Sequence, residues 1–240
     1  LFGSSTVTPD GTLIIGGRHC TKVGVAMSKD EGKTWTVKDI GSTTLIKGST
    51  TIGIAANPNY VLAQPITSDA EGNLYALYAD ARNLLRLTVS RDQGNTWSAP
   101  VVVSAPKITQ VHLTSLAIKA PGQVAIAYYG SQDTGSVVVN HSVYVAESSD
   151  VFAANPVFQS QMVNRSDTPM FAKGFDSNYI GMFFGGDLAE LTQIQYAPNG
   201  DLFVSFVQDM CPGGTTTNCK WDFKAHNKSR FRAVAAQITH

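Results

Sequence analysis

Charge is scarce in this chain of 240 residues: Asp, Glu, Lys and Arg make up 15% of it, and eighteen acidic residues balance eighteen basic ones. With no basic run and no interleaved basic and aromatic stripe, a nucleic-acid partner is not expected. Long apolar runs are missing as well. None approaches the roughly 20 residues that a membrane-spanning helix needs, so no membrane segment is expected. Cysteine is limited to three, without a C-x-x-C pair, and the five histidines show no ligand spacing. Zinc or another metal therefore finds no obvious site, and no cofactor is expected. The chain opens Leu1-Phe2-Gly3-Ser4-Ser5, with neither an initiator Met nor the regions of a signal peptide, as a processed or trimmed product would.

What is present is glycine, proline and repetition. Low charge with 21 Gly and 10 Pro fits many short strands joined by tight turns better than a helical protein. Ser28-Lys29-Asp30-Glu31-Gly32-Lys33-Thr34-Trp35 recurs as Ser90-Arg91-Asp92-Gln93-Gly94-Asn95-Thr96-Trp97, with Ser, Asp, Gly, Thr and Trp in the same places. Each copy sits between β-rich runs and so reads as a hairpin turn. The Asp carboxylate can accept from backbone N–H groups, Gly supplies positive φ, the hydroxyls fasten the strand ends, and Trp buries an apolar face. As metal ligands Asp30 and Asp92 are poor candidates, since each turn offers one Asp before its Gly where a calcium loop alternates several oxygen ligands.

A second repeat supports the first. Pro9-Asp10-Gly11, Ala70-Glu71-Gly72, Ala120-Pro121-Gly122 and Pro198-Asn199-Gly200 each separate two β-rich runs, at the uneven spacing expected when loops vary around a fixed unit. The chain divides into four units, near residues 1–40, 60–103, 111–163 and 190–240. In the third, Ser148-Ser149-Asp150-Val151-Phe152 reads as a decayed copy of the turn that keeps Ser and Asp and has lost Gly and Trp. The fourth holds Cys211 and Cys219 in a Pro-Gly-Gly-Thr loop, which suits a local disulfide or two free thiols. Cys20 is either a buried free thiol or pairs with a segment elsewhere.

The S-x-D-x-G-x-T-W pattern resembles the Asp-box, and the chain is similar to Asp-box (BNR-repeat) β-propellers of the sialidase-like kind, in particular to secreted bacterial BNR-repeat proteins. The resemblance implies an all-β fold of four-stranded antiparallel blades. It also implies a secreted, extracellular protein and boxes that are structural, on the face away from any active site. Sialidase-like propellers have six blades, so about two more are expected upstream of Leu1 or on another chain, with closure as a four-bladed ring the alternative. Association with another chain or a cleaved N-terminal portion follows from the same reading.

A sialidase of that family uses three arginines on a carboxylate, a Tyr nucleophile primed by Glu, and an Asp acid. The F/Y-R-I-P motif that carries its first Arg does not occur here. Ligand sites in such propellers lie opposite the Asp-boxes, on loops that here hold Arg18, His19, Asp80, Arg82, His112, Arg165, Asp187, Glu190, Asp209, Asp222 and Arg230. Arg18, Arg82 and Arg165 can form a carboxylate clamp, or be solvated loop charges with local ion pairs. Asn140-His141-Ser142, Asn164-Arg165-Ser166 and Asn227-Lys228-Ser229 fit the N-glycosylation pattern, which a bacterial origin would make coincidental. Two readings result: a module that binds glycan or protein, and an exo-sialidase-like glycoside hydrolase with part of its site upstream.

Overall fold

The computed structural model describes residues 2–19, 22–42, 66–80, 82–134, 141–164, 192–209 and 231–239. For 2, 3, 18, 19, 112, 113, 207–209, 231 and 232 this description covers the backbone alone. The described residues form fifteen strands and no helix. The first sheet holds β1 (Phe2–Val7), β2 (Leu13–His19), β3 (Lys22–Ser28) and β4 (Thr36–Ser42); the second holds β5 (Ile66–Ser68), β6 (Leu74–Ala79), β7 (Leu85–Ser90) and β8 (Val101–Val102). The third holds β9 (Gln110–Ala120), β10 (Gln123–Ser131), β11 (Ser142–Ser148) and β12 (Gln159–Met162). The fourth holds β13 (Gln193–Tyr196), β14 (Leu202–Asp209) and β15 (Phe231–Ile238). Each is an antiparallel meander, with strands that follow one another in sequence lying side by side.

The inner hairpins turn on the four glycines picked out in the sequence. Gly11, Gly72, Gly122 and Gly200 all have φ between 79° and 90°, the left-handed region that a side chain disfavours. An acid fastens two of these turns. Asp10 Oδ1 accepts from Thr12 N, and Asp69 Oδ1 from both Glu71 N and Asn73 N.

Side chains on both faces of the second and third sheets are apolar, and one buried cluster fills each space between neighbouring sheets. Ile14 and Val25 of the first sheet meet Ile66, Leu74 and Ala76 of the second. Tyr75, Leu77, Leu87 and Val89, from the other face of the second sheet, meet Val124, Ile126, Tyr128 and Ala146 of the third. Ala127, Tyr129, Val143 and Val145 then meet Leu202, Val204 and Phe206 of the fourth. Tyr128 and Tyr129, adjacent in β10, therefore face different interfaces and are both buried.

The first strands come together at the centre, β1 against β5, β5 against β9, and β9 against β13. They belong to different sheets, and hydroxyls join them. Ser4 Oγ lies 2.6 Å from Ile66 N, Thr6 Oγ1 lies 3.1 Å from Ser68 Oγ, and Ile194 N donates to Ser115 Oγ. Sheets set face to face with their first strands innermost are the wedges of a propeller.

The outer strand of the second sheet is short, although the β-rich run that follows the second box reaches Val103. Pro100 has no N–H to donate, and only Val101–Val102 remain as strand, flanked by Ser98 N→Val89 O and Val103 N→Leu85 O at 2.8 Å each. The sequence predicts a strand over Tyr60–Ser68; it is seen from Ile66 onward, and its earlier part lies outside the described residues.

The face of the first sheet turned away from the second is less well covered. Leu13, Ile15 and Ala26 are half-buried there and Trp35 is 41% exposed, whereas Leu74 and Ala76 at the corresponding positions of the second sheet are buried. Trp97, from the same turn as Trp35, packs against the Ile14 and Leu74 cluster. Trp35→Ala is expected to cost under about 1 kcal/mol and Trp97→Ala about 2 kcal/mol, by the apolar area each withdraws from water. Urea titration of the two variants checks the order, and equal costs would contradict the packing difference.

Candidate functional site

The two boxes close on themselves through the same bonds. Ser28 Oγ donates to Asp30 Oδ1 and accepts from Gly32 N, both at 2.8 Å. Asp30 accepts from Thr34 N at 2.8 Å and Thr34 Oγ1 at 2.6 Å, and the Trp35 indole donates to Gly32 O at 2.9 Å. Ser90, Asp92, Gly94, Thr96 and Trp97 repeat the set at 2.5 to 3.2 Å. Both carboxylate oxygens of Asp30 and of Asp92 accept hydrogen bonds from within their own turn. Among the described residues no group of three or more His, Cys, Asp or Glu is placed to hold a metal ion.

The Thr hydroxyl, then the Thr N–H, holds Asp30 down to about 2 and Asp92 to the same value. A lowered folded-state value means that the turns contribute in full above the ordinary carboxylate range, near pH 4, and lose the contribution as pH falls toward 2. The thermal midpoint is expected to drop between pH 4 and 2. In Asp30→Asn/Asp92→Asn the drop should be smaller, and an unchanged pH profile in that variant would refute the assignment.

On the opposite side, the β6–β7 hairpin carries Asp80 and Arg82. Asp80 Oδ1 accepts from Arg82 N at 2.8 Å and Leu84 N at 3.1 Å, while Oδ2 pairs with Arg86 Nε at 2.8 Å. Burial pushes its carboxyl up, but those two N–H groups and Arg86 outweigh it and hold it below the ordinary value. Asp80 thus serves its own hairpin, and Arg82 is exposed beside it. Arg18, His19 and His112 have strand backbone but no described side chain, as does Asp209. Arg165, Asp187, Glu190, Asp222, Arg230 and the cysteines Cys20, Cys211 and Cys219 lie outside the described residues. Of the three proposed clamp arginines, Arg82 alone has a described side chain.

Of the glycosylation patterns, Asn164 can be judged directly. It is buried, its Oδ1 accepts from Val143 N at 2.7 Å, and its amide donates to Ser142 Oγ. That residue closes the end of β11 and has no room for a glycan in the folded chain.

The decayed box of the third sheet explains a feature that sequence reasoning missed. Asp150 Oδ1 accepts only from Phe152 N, Val151 N donates to Gly122 O, and Ser148 Oγ is buried without a hydrogen-bond partner. With no Gly or Trp to fold it back, this turn swings Phe152 toward the second sheet. Phe152 stacks on Tyr75 at 6.0 Å between ring centroids, and Arg91 lies over its ring at 4.8 Å. Between this turn and the second box opens a cleft of about 410 Å³, bordered by Arg91, Thr96, Trp97, Ser98, Phe152 and Pro156. It lies on the box side, not on the loop side where the ligand face was expected. The signal was Phe152, present in the sequence but read there only as a sign of decay.

No protein-family model matches the chain, and no curated protein sequence is similar to it. Solved structures do match. An α-L-arabinanase from Penicillium chrysogenum, complexed with arabinobiose, aligns over 82% of this chain and 54% of its own, with 18% identity and a TM-score of 0.52. A protein of unknown function from Dyadobacter fermentans aligns over 88% and 50%, with 13% identity and a TM-score of 0.51. The NanB sialidase of Streptococcus pneumoniae aligns over 87% and 27%, with 13% identity and a TM-score of 0.49. The chain thus spans about half the length, or less, of the structures it matches. The fold is an all-β propeller architecture, in which the described residues form three four-stranded antiparallel sheets and one three-stranded sheet. No helix of the described residues is long and apolar enough to cross a membrane.

Proposed function

We propose that this chain is a carbohydrate-binding propeller module of a secreted protein, and that the cleft between its second and third sheets takes a sugar unit. One observation carries the reading: two aromatic rings, two hydroxyls and a guanidinium converge on a cleft of about 410 Å³. The C–H face of a pyranose is apolar and fits an aromatic wall, while its rim of hydroxyls needs donors and acceptors. Thr96 Oγ1, already donating to Asp92, keeps lone pairs to accept with, and Ser98 Oγ, already accepting from Val89 N, keeps its proton to donate. The arabinanase of similar fold is complexed with a disaccharide, which supports a sugar ligand for this architecture without specifying the site.

Titration with a panel of soluble oligosaccharides, followed by calorimetry and by the Trp indole N–H resonances, tests the proposal. Saturable binding is expected, weakened at least tenfold by Ala154→Trp, which fills the cleft from an exposed position. Binding that Ala154→Trp leaves unchanged would move the site elsewhere. Release of free sugar from a sialoside or arabinan would replace the reading with that of a glycoside hydrolase.

A further inference from the structure

We infer that the sugar taken by this cleft carries a carboxylate, as a hexuronate does, and that Arg91 reads it. The inference rests on the proposal that the cleft binds a saccharide, and it concerns what kind. Arg91 is the one charged residue that borders the cleft, and no acid borders it among the described residues. The only ion pair between described side chains is Asp80 with Arg86, so Arg91 spends its charge on no neighbouring carboxylate. An aromatic ring nonetheless restrains its position. The guanidinium lies over the Phe152 ring, and the same ring is braced by Tyr75 and packed against Gly122, where an added Cβ would come within 3.0 Å.

Stacking of this kind occupies the flat face of the guanidinium and leaves its N–H groups at the rim, where two parallel bonds to a carboxylate are geometrically favoured. A stacked arginine also loses less side-chain freedom on binding than one that swings in solvent. The aromatic wall and the cation are thus a single unit: Phe152 offers one part of the sugar an apolar surface and holds the donor for another. A neutral hexose would use the wall and the hydroxyls of Thr96 and Ser98 but leave the guanidinium with water. A sulfate ester is the other anionic group a glycan carries, and its tetrahedral oxygens match the planar fork less well than a carboxylate does.

The test compares methyl β-D-glucuronide with methyl β-D-glucoside, and a glucuronate disaccharide with its neutral and 6-sulfated counterparts, all titrated into the intact chain. The indole N–H of Trp97 serves as reporter, assigned by its loss in Trp97→Phe. The uronates are expected to bind about tenfold more tightly than the neutral sugars at low salt, with the preference shrinking as salt is added. In Arg91→Gln the ratio of acidic to neutral affinity is expected to fall to about one, and Arg91→Lys should restore part of it. Equal affinities for uronate and neutral sugar in the unaltered protein would overturn the inference and leave the glycan-binding proposal standing. A preference for the sulfated sugar, or a ratio that Arg91→Gln does not change, would overturn it as well. Failure of every sugar to bind would remove both.

Discussion

Tyr75→Ala is expected to cost at least about 4 kcal/mol, and Tyr75→Phe about 2 kcal/mol, because one hydroxyl ties together the inner turns of two sheets. The Tyr75 ring is fully buried, and its O–H donates to Asp69 Oδ2 at 2.7 Å while accepting from Gly122 N at 2.8 Å. Asp69 organises the β5–β6 turn and Gly122 lies in the β9–β10 turn. Burial pushes the phenol well above its usual range, so it stays protonated and remains the donor to Asp69. Phenylalanine keeps the packing but leaves the Gly122 N–H and part of a buried carboxylate unmet, which isolates the polar share of the loss. Urea unfolding separates the two: both variants should move the midpoint at constant slope, with Ala moving it about twice as far. Tyr75→Ala should also weaken any ligand of the cleft, since it removes the ring on which Phe152 rests. A Phe variant within about 0.5 kcal/mol of the parent would show that the bridge between the turns contributes little.

Gly94→Ala is the second large effect, at about 3 kcal/mol, against about 1 kcal/mol for Gly32→Ala. Both glycines lie in the repeated Ser-x-Asp-x-Gly-x-Thr-Trp turns with φ near 85°, so both substitutions force an L-residue into the left-handed region at a similar cost. They differ in what the new methyl meets. At Gly94 a Cβ would lie 2.5 Å from Met27 Sδ and 3.4 Å from Leu74 Cδ1, while at Gly32 the nearest atom is 3.7 Å away on Trp35. Met27 is flexible and half-buried, and turning it aside withdraws part of the cover of the cluster between the first two sheets. Two turns with one sequence and one hydrogen-bond pattern should therefore give unequal penalties, measurable by thermal or urea denaturation. Equal penalties would mean that backbone strain dominates at both positions and that Met27 relocates freely.

The same contrast shows where local sequence stops being informative. Ser28, Asp30, Gly32, Thr34 and Trp35 announce their turn because every bond it makes is reached within four residues along the chain. The inner-hairpin glycines are legible for the same reason, and near-continuous apolar runs mark β6, β10 and β11. The short β8 follows from Pro100, which removes a ladder donor.

The candidate site was less legible. The loop-side charges were chosen by their place in a repeat, and Asp80 has its hairpin N–H groups and Arg86 as partners. Arg91 and Phe152, 61 residues apart in the sequence, meet only because the second and third sheets stand face to face.

The chain by itself determined strands, turns and the pairing of neighbours, since those are settled by φ preference, period-two burial and bonds that close over a few residues. Only the tertiary structure decided which face of each sheet is covered, which of two like tryptophans is packed, and where a cleft opens. Those outcomes depend on contacts between side chains far apart in sequence, which no short-range pattern encodes.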